Sequence, residues 1–337
     1  MSKQKKIAVF GGGSWATAIV KMLSENLETI GWYMRNEQAI EHIKENDHNP
    51  NYLRAADIFA SQLDLSSDIN YIAENYDVLI FVIPSAFLTS ELKKLETSLD
   101  NKIIVSAIKG IVPETGLIIG EHFNKKYNIP LENIAVITGP CHAEEVAMER
   151  LSYLTIACQD EEKARCIGNA LESWYIKTKI SDDIIGTEYA AMLKNIYAVA
   201  AGMAHGLGYG DNFQAVLMSN AIREMKRFIK RMHKMKRNIN NSAYLGDLLV
   251  TGYSIFSRNR MFGNMIGKGY TVKSAMMEMS MIAEGYYAAK SAYLLNEKNN
   301  VNTPIINAVY QILYENKNPK KVFKNLSKAK KLKKLEQ

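Results

Sequence analysis

Cysteine and histidine are both scarce in this chain, and neither is placed where a metal site or a disulfide framework would need it. Cys141, Cys158 and Cys166 form no C-x-x-C pair, and an odd number of thiols cannot all be paired. Free thiols in a reducing compartment are therefore expected. The six histidines show no H-x-x-x-H spacing and no companion ligand cluster, which predicts neither a structural nor a catalytic metal.

Long apolar runs are also missing. None approaches the roughly 18 residues of a membrane-spanning helix, so no stable membrane insertion is predicted. The first six residues, MSKQKK, lead into an apolar run too short for the core of a signal peptide, and a cytoplasmic location is expected. The 337 residues are 47% hydrophobic and 23% charged, an ordinary globular composition long enough for two domains.

Acidic residues are nearly absent from the C-terminal segment, residues 317–337. It contains nine lysines and one glutamate, a net charge of +8, so the rest of the chain sums to about −1 and is close to neutral. A solvated basic tail is the favoured interpretation, ahead of binding to RNA or to a membrane surface. The sequence therefore predicts no nucleic-acid partner.

The most informative stretch near the start of the chain is IAVFGGGSWATA, residues 7–18. The apolar run Ile7–Phe10 is followed at once by glycines and then by good helix formers, and Gly11-x-Gly13-x-x-Ala16 has the spacing of a dinucleotide-binding turn. Gly11 permits the sharp turn, Gly13 lets the backbone approach a pyrophosphate, and Ala16 lets helix and strand pack closely. An ordinary flexible turn is the alternative, but the strand-to-helix context favours nucleotide binding.

Short, β-branched apolar runs continue through the first half of the chain, as in parallel strands covered on both faces. A helix is expected over 87–99. The predicted strands are residues 7–10, 29–34, 78–83, 103–107 and 134–138, with 154–157 and 175–178 completing the sheet. From about residue 186 long helical patterns replace the strands.

The predicted fold is an α/β N-terminal Rossmann domain, with a doubly wound and mostly parallel sheet, followed by an all-α C-terminal domain. We predict a dinucleotide-binding domain over 1–183, a helical substrate domain over 184–316 and the basic tail over 317–337.

Residue 35 bears on the choice of cofactor. Proteins specific for NAD commonly carry Asp or Glu at the end of the second strand, whereas this chain has Met34-Arg35-Asn36. An arginine without a carboxylate predicts tolerance of a 2′-phosphate, and hence of NADP. Arg35 as an ordinary surface-loop residue is the alternative.

Lys194 lies in the middle of a helix, residues 188–204, that is apolar around nearly its whole circumference. Burial would lower the pKa of its ammonium group toward neutrality, which suits a general acid or base. The alternatives are a lysine that reaches the surface, or a structural salt bridge.

Two further places carry candidate chemistry. Lys109 follows a buried strand directly, at the sheet edge where ligands bind. The segment 257–260, SRNR, contains arginines, whose guanidinium groups suit phosphate recognition, although such a sequence is more often a polar loop. Cys141 beside His142 has no third, orienting partner in the sequence, so a thiolate nucleophile is disfavoured.

Together, several stretches resemble the bacterial NAD(P)-dependent glycerol-3-phosphate dehydrogenases, and the resemblance runs through nearly the whole chain. They are GGGSWATA at 11–18, NPNYL at 49–53, IKGI at 108–111, GPCHAEEVA at 139–147, EYAAMLKNIYAVAAGMAHGLGYGDN at 188–212, YLGDLLVTGYSIFSRNRMFGNMIGKG at 244–269 and AEG at 283–285. The resemblance implies reversible hydride transfer between NAD(P)H and dihydroxyacetone phosphate, giving sn-glycerol 3-phosphate for phospholipid synthesis. A homodimer is the default assembly.

The resemblance also implies roles for individual residues. Lys194 would exchange the proton at the substrate C2 oxygen, with Lys109 and Asp247 as the other catalytic residues. The implied substrate-binding residues are Lys109, Gly139, Cys141, Lys194, Asp247, Ser257, Arg258 and Asn259. The implied cofactor-binding residues, with those of the glycine turn, are Gly11, Gly13, Ser14, Trp15, Arg35, Lys109, Ala143, Arg258, Ile282 and Glu284.

The chain departs from the family pattern at a few positions. Ala16 stands for a glycine, Cys141 for a serine and His142 for a phenylalanine, and Asn220 lies where the family has an arginine. These changes bear on turnover and regulation more than on reaction type. The alternatives are another two-domain reductase, such as a hydroxyacid or 6-phosphogluconate dehydrogenase, and a non-catalytic nucleotide-binding sensor.

Overall fold

The computed structural model describes residues 5–279 and 283–328, and the chain divides into two compact units. The first unit runs to Ile108 and continues over Val112–Glu188. The second takes in Lys109–Ile111 and the chain from Tyr189 onward. Lys109 therefore belongs to the second unit although it lies in the first half of the sequence.

An eight-stranded sheet forms the centre of the first unit. Its strand order is β10-β9-β8-β5-β4-β1-β2-β3, and every neighbouring pair is parallel except β8 with β9. The predicted mostly parallel sheet is confirmed. The strands are β1 Ile7–Phe10, β2 Ile30–Tyr33, β3 Leu63–Ser66, β4 Val78–Phe81, β5 Ile103–Ser106, β8 Ile134–Thr138, β9 Ser152–Cys158 and β10 Ile176–Ser181; β6 Ile111–Val112 and β7 Leu117–Ile118 form a separate pair.

The continuous apolar strands are buried because helices cover both faces of the sheet. Successive residues of one strand enter different cores: Val9 and Ile80 lie in one apolar cluster, whereas Ala8 and Leu79 lie in the other. The helices of this unit are α1 Ser14–Ser24, α2 Glu37–Asn46, α3 Ile69–Asn75, α4 Ser85–Leu92, α5 Ile119–Tyr127, α6 Ala143–Ala147 and α7 Glu161–Leu171.

Two local predictions differ from the structure. The helix expected over 87–99 is wrong in extent, because α4 ends at Leu92. Beyond it, the backbone N–H groups of Glu96 and Thr97 donate to Asn70 Oδ1 at 2.7 and 3.0 Å, so a side chain from α3 satisfies them in place of a helix. Strand β3 was not predicted, because all four of its residues are only half-buried at the sheet edge and lack an apolar run.

The second unit is helical throughout its described part beyond residue 188, which confirms the predicted all-α half. Helix α8, Ile184–Gly206, spans the division between the units, and every residue from Tyr189 to Ala204 is buried. The other helices are α9 Asp211–Met232, α10 Asp247–Tyr253, α11 Arg258–Gly267, α12 Val272–Glu278, α13 Glu284–Asn299, α14 Pro304–Leu313 and α15 Pro319–Lys328, with a π-helical turn over Ser242–Gly246.

The solvated basic tail predicted over 317–337 is wrong where α15 lies. Val322, Phe323 and Leu326 share one face of this helix and are buried, whereas its lysines are exposed. Residues 329–337 of the predicted tail lie outside the described residues.

Helices α8 and α11 approach each other backbone to backbone. A Cβ on Gly202 would lie 2.0 Å from the carbonyl oxygen of Arg260, and one on Gly263 would lie 2.1 Å from that of Val199. Only residues without a side chain allow this contact. It fixes the start of α11, and hence residues 258 and 259, against the buried face of α8.

Candidate functional site

The glycine turn after β1 has the geometry that a bound pyrophosphate needs. Gly11 has a φ of +132°, and a Cβ there would lie 3.0 Å from the carbonyl oxygen of Val82. At Gly13 no atom of the described residues lies within 4 Å of where a Cβ would be. The open backbone at Gly13 and the helix N-terminus that follows it fit a phosphate group.

Two side chains hold this turn in place. Trp32 Nε1 donates to the carbonyl oxygen of Gly11 at 2.7 Å. Asn49, which is completely buried, donates to the Gly12 carbonyl at 3.2 Å and to Thr17 Oγ1 at 2.9 Å. The stretch 49–53 belongs to the family resemblance, but the sequence alone assigns no role to Asn49. The complete burial of Asn49 is the signal of its role, and burial becomes visible only in the tertiary structure.

Arg35 lies beyond the end of β2, where the sequence placed it, and its side chain is 64% exposed. It lines a shallow cavity of about 450 Å³ together with Asn36, Glu37 and Gln38. Its Nη1 lies 3.3 Å from Oε1 of Glu91, a carboxylate on α4 that is almost fully buried. The sequence predicted the arginine but not the carboxylate, which is 56 residues away.

The segment from Gly139 to Ala143 connects β8 to α6. Gly139 has a φ of +120°, and a Cβ on it would lie 2.7 Å from the carbonyl oxygen of Tyr153. Cys141 and Ala143 are buried in the same apolar cluster against which Trp15 packs. The segment therefore lies on the same side of the sheet as α1, in the same unit as the glycine turn.

Lys194 and Asp247 form a buried ion pair in the second unit. Lys194 Nζ donates to Asp247 Oδ1, and the two side chains are 4% and 2% exposed. The other carboxylate oxygen, Oδ2, is buried and has no hydrogen-bond partner among the described residues. Asp247 begins α10 directly after the π-helical turn, and Thr251 Oγ1 donates to its carbonyl oxygen at 2.6 Å.

Burial shifts the proton affinity of this lysine. Desolvation is the largest effect and lowers the pKa of Lys194 to about 8, while the charge of Asp247 opposes the change and that of Lys109 adds to it. The prediction of a buried lysine in α8 is confirmed. The alternative in which Lys194 reaches the surface is excluded, whereas the lowered pKa and the salt bridge occur together.

Lys109 is brought beside Lys194 by Asn195, a residue to which the sequence alone assigns no role. Asn195 Nδ2 donates to the Lys109 carbonyl oxygen at 3.3 Å, although the two residues are 86 positions apart. The side chain of Lys109 approaches Lys194 closely enough to lower its pKa. Two ammonium groups thus converge on one place in the second unit, an arrangement that favours an anionic ligand.

The start of α11 joins the same cluster. Ser257 Oγ caps the helix by accepting from Arg260 N at 3.3 Å, and Asn259 Oδ1 accepts from Gly285 N at 2.8 Å. Burial raises the pKa of the Glu284 carboxyl group, an effect opposed by the positive charges of Arg258, Lys109 and Lys194. Residues from α8, α10, α11 and α13 therefore surround one charged centre.

The sequence-predicted residues fall into two groups. Lys109, Lys194, Asp247, Ser257, Arg258, Asn259 and Glu284 belong to the second unit, and Gly11, Gly13, Ser14, Trp15, Arg35, Gly139, Cys141 and Ala143 belong to the first. Ile282, a predicted cofactor contact, lies outside the described residues.

Neither a metal cluster nor a membrane span is found in the part of the chain that the structure describes. It contains no group of three or more His, Cys, Asp or Glu side chains that could hold a metal ion. Among the same residues, no helix is both long and apolar enough to cross a membrane.

Family models match both halves of the chain. The model described as the NAD-dependent glycerol-3-phosphate dehydrogenase N-terminus matches residues 6–164, and that described as the C-terminus of the same family matches residues 183–324. The two matches leave only short stretches of the chain uncovered.

Individual relatives agree with the family models. A glycerol-3-phosphate dehydrogenase [NAD(P)+] from Oceanobacillus iheyensis is 33% identical, over 96% of this chain and 93% of the relative. One from Latilactobacillus sakei is 35% identical, over 91% and 92%. The crystal structure of the glycerol-3-phosphate dehydrogenase of Coxiella burnetii superposes with a TM-score of 0.89 at 26% identity, covering 96% of this chain and 99% of that one.

Proposed function

Because the chain belongs to the NAD-dependent glycerol-3-phosphate dehydrogenase family, we propose that it interconverts dihydroxyacetone phosphate and sn-glycerol 3-phosphate with NAD(H) or NADP(H). The observation that carries this proposal is the buried Lys194–Asp247 ion pair with Lys109 beside it. A lysine with a lowered pKa, oriented by a carboxylate, suits proton exchange with a carbonyl or hydroxyl oxygen.

The dinucleotide supplies hydride chemistry when it is bound at the turn of Gly11 and Gly13. In the direction of reduction, Lys194 donates a proton to the substrate C2 oxygen, and the charge of Lys109 stabilises the negative charge that develops there. Asp247 Oδ1 holds the Lys194 ammonium group in one orientation. The unpartnered Oδ2 of Asp247 accepts a hydrogen bond from a substrate hydroxyl, which would satisfy a buried acceptor.

Arg258 is the phosphate ligand in this proposal. It opens α11, where its guanidinium group and the helix N-terminus both favour an anion, and Ser257 and Asn259 fix the local backbone. A clamped phosphate orients the carbonyl carbon, so binding energy remote from the reaction lowers the barrier to hydride transfer.

Several finer assignments belong to the same proposal. Residues 1–183 form the cofactor-binding domain, with Ser14, Trp15, Arg35 and Ala143 among the contacts, and 184–316 form the substrate domain. Gly139 and Cys141 are further proposed substrate-binding residues. Glu284 and Ile282 are further cofactor contacts in this proposal. The protein acts in the cytoplasm as a homodimer, and its product supplies phospholipid synthesis.

The test is the absorbance of the reduced nicotinamide in the presence of purified protein and dihydroxyacetone phosphate, with NADH and NADPH run in parallel. Cofactor oxidation that requires the phosphorylated ketone is the expected result. Glyoxylate and pyruvate with the reduced cofactors, and 6-phosphogluconate with NAD⁺ and NADP⁺, serve as substrate controls. Binding of either cofactor without turnover on any of these substrates would contradict the proposal and favour a nucleotide sensor.

A further inference from the structure

Glu91 is a buried carboxylate for which the proposed chemistry has no use. Its side chain is 3% exposed, and Tyr33 Oη donates to its Oε2 at 2.7 Å. Lys94 Nζ lies 3.1 and 3.2 Å from its two oxygens, and Arg35 Nη1 lies 3.3 Å from Oε1. A buried carboxylate is costly to leave unpaired, so this side chain draws on every cation within its reach.

Arg35 is the partner that links Glu91 to the cofactor site. Its guanidinium group has five N–H donors, and the same side chain lines the shallow cavity with Asn36, Glu37 and Gln38. One edge of the guanidinium meets Glu91, and most of the side chain remains exposed. A single arginine therefore lies between a buried carboxylate and the place after β2 where a dinucleotide carries its adenosine ribose.

We propose that Glu91 is a specificity-determining residue, which neutralises and anchors Arg35 and so lowers the affinity for a 2′-phosphate, favouring NAD(H) over NADP(H). This inference rests on the proposed function, since it requires a dinucleotide at the glycine turn. The 2′-phosphate carries negative charge toward a guanidinium that already faces a carboxylate, whereas the 2′-hydroxyl of NAD does not. Glu91 therefore lowers the affinity for NADP(H) and leaves the affinity for NAD(H) nearly unchanged.

Tyr33 keeps the carboxylate fixed. It is the last residue of β2, two positions before Arg35, and it is buried. Burial is the largest cause that raises the pKa of its hydroxyl, and the hydrogen bond to Glu91 raises it further. Tyr33 therefore remains a donor at neutral pH, and it ties Glu91 to the strand that positions Arg35.

Other charges surround this pair and must be separated from the effect of Glu91. Glu37 lines the same cavity, is exposed, and accepts a hydrogen bond from Ser67 Oγ at 2.9 Å. Asp68 is close enough to Tyr33 to raise its pKa. Because water screens an exposed carboxylate, Glu37 should discriminate between the cofactors much less than the buried Glu91 does.

The experiment measures dissociation constants for NADH and for NADPH by the fluorescence of the reduced nicotinamide, without substrate. Glu91→Gln, which removes the charge and keeps the shape, should tighten NADPH binding relative to NADH by about tenfold. Glu91→Asp retracts the carboxylate from Arg35 and should also tighten NADPH binding relative to NADH, by a smaller factor. Glu37→Gln is the matched control and should change the ratio by less than about twofold.

A double-mutant cycle shows whether the effect passes through the arginine. When Arg35 is already replaced by alanine, Glu91→Gln should no longer change the ratio of the NADH and NADPH dissociation constants by the factor that it has in the unmodified protein. An unchanged or lowered preference for NADPH in both Glu91 variants overturns this inference and leaves the proposed function intact. A shift of equal size in Glu37→Gln also overturns it, because net charge alone would then explain the effect. Failure of the unmodified protein to bind either cofactor overturns the proposed function itself.

Discussion

Lys194 and Asp247 lie 53 residues apart in the sequence and form an ion pair in which both side chains are almost completely buried. The pair connects the central helix α8 to the start of α10. A charge pair removed from water so completely is weak evidence for stability alone. Its position beside Lys109, with one carboxylate oxygen that has no hydrogen-bond partner among the described residues, supports the proposed proton exchange with a bound substrate.

Lys194→Met should abolish most turnover and leave cofactor binding near normal, because the glycine turn belongs to the other unit. We expect a fall in kcat of about 10³-fold, within the range typical of a lost general acid. The measurements are kcat with dihydroxyacetone phosphate and the dissociation constant of NADH. Retained turnover would remove Lys194 from the mechanism.

In the Lys194→Met variant, a loss of folding stability must be distinguished from a loss of the proton donor. The unpaired carboxylate of Asp247 should destabilise the fold by about 3–5 kcal/mol, the usual effect of breaking a buried ion pair. In the double variant Lys194→Met with Asp247→Asn, the buried charge is gone. Denaturant unfolding should show recovered stability there, while turnover should remain absent.

The rate should depend on pH with opposite sign in the two directions. Burial lowers the pKa of Lys194 to about 8, so the group is a charged donor below that pH and a neutral acceptor above it. Reduction of dihydroxyacetone phosphate should therefore decline as the pH rises through about 8, and oxidation of glycerol 3-phosphate should increase.

The carboxylate of Asp247 provides the control for this assignment. Because its charge favours the ammonium form, Asp247→Asn should move the inflection to lower pH in profiles of kcat against pH. An inflection that stays in place would assign the titration to another group.

Arg258→Ala should weaken the binding of the phosphorylated substrate. A lost charge-assisted contact to a phosphate raises KM by roughly tenfold to a hundredfold, corresponding to about 1.5–3 kcal/mol. Arg260→Ala is the matched control, since Arg260 lies on the same helix two positions later and has no proposed contact with substrate. The measurement is KM for dihydroxyacetone phosphate, and equal effects in the two variants would refute the phosphate clamp.

Gly13→Val should block cofactor binding without unfolding the protein. Gly13 has a φ of −83° and a ψ of 179°, which any residue adopts, and nothing lies within 4 Å of its Cβ position. A valine side chain would occupy the space that the pyrophosphate needs. We expect a Tm within a few degrees of the original together with loss of NADH fluorescence enhancement.

A matched variant at Gly11 distinguishes backbone strain from a blocked pyrophosphate site. Gly11→Ala should lower Tm, because its φ of +132° strains any residue with a side chain. Normal NADH binding by Gly13→Val would place the pyrophosphate elsewhere.

Local rules explain how much of the fold the sequence determined by itself. Strand β1, the turn at Gly11 and helix α1 follow from a short apolar run, glycines and good helix formers, all of which act within a few residues. The apolar circumference of α8 likewise required a buried helix, and Lys194 within it required a partner. Strand β3 did not follow, because its four residues are only half-buried at the edge of the sheet. The end of α4 did not follow either, because the Asn70 side chain accepts hydrogen bonds from the backbone N–H groups beyond it.

What only the tertiary structure decided is which side chains meet. Asp247 as the partner of Lys194, Asn195 as the anchor of Lys109, and Asn49 as the support of the glycine turn are contacts between residues far apart in sequence. Glu91 beneath Arg35 is of the same kind. The sequence determines propensity and hydrophobic pattern over short ranges, whereas burial and charge pairing depend on the packing of distant segments, and those two properties set the chemistry of the site.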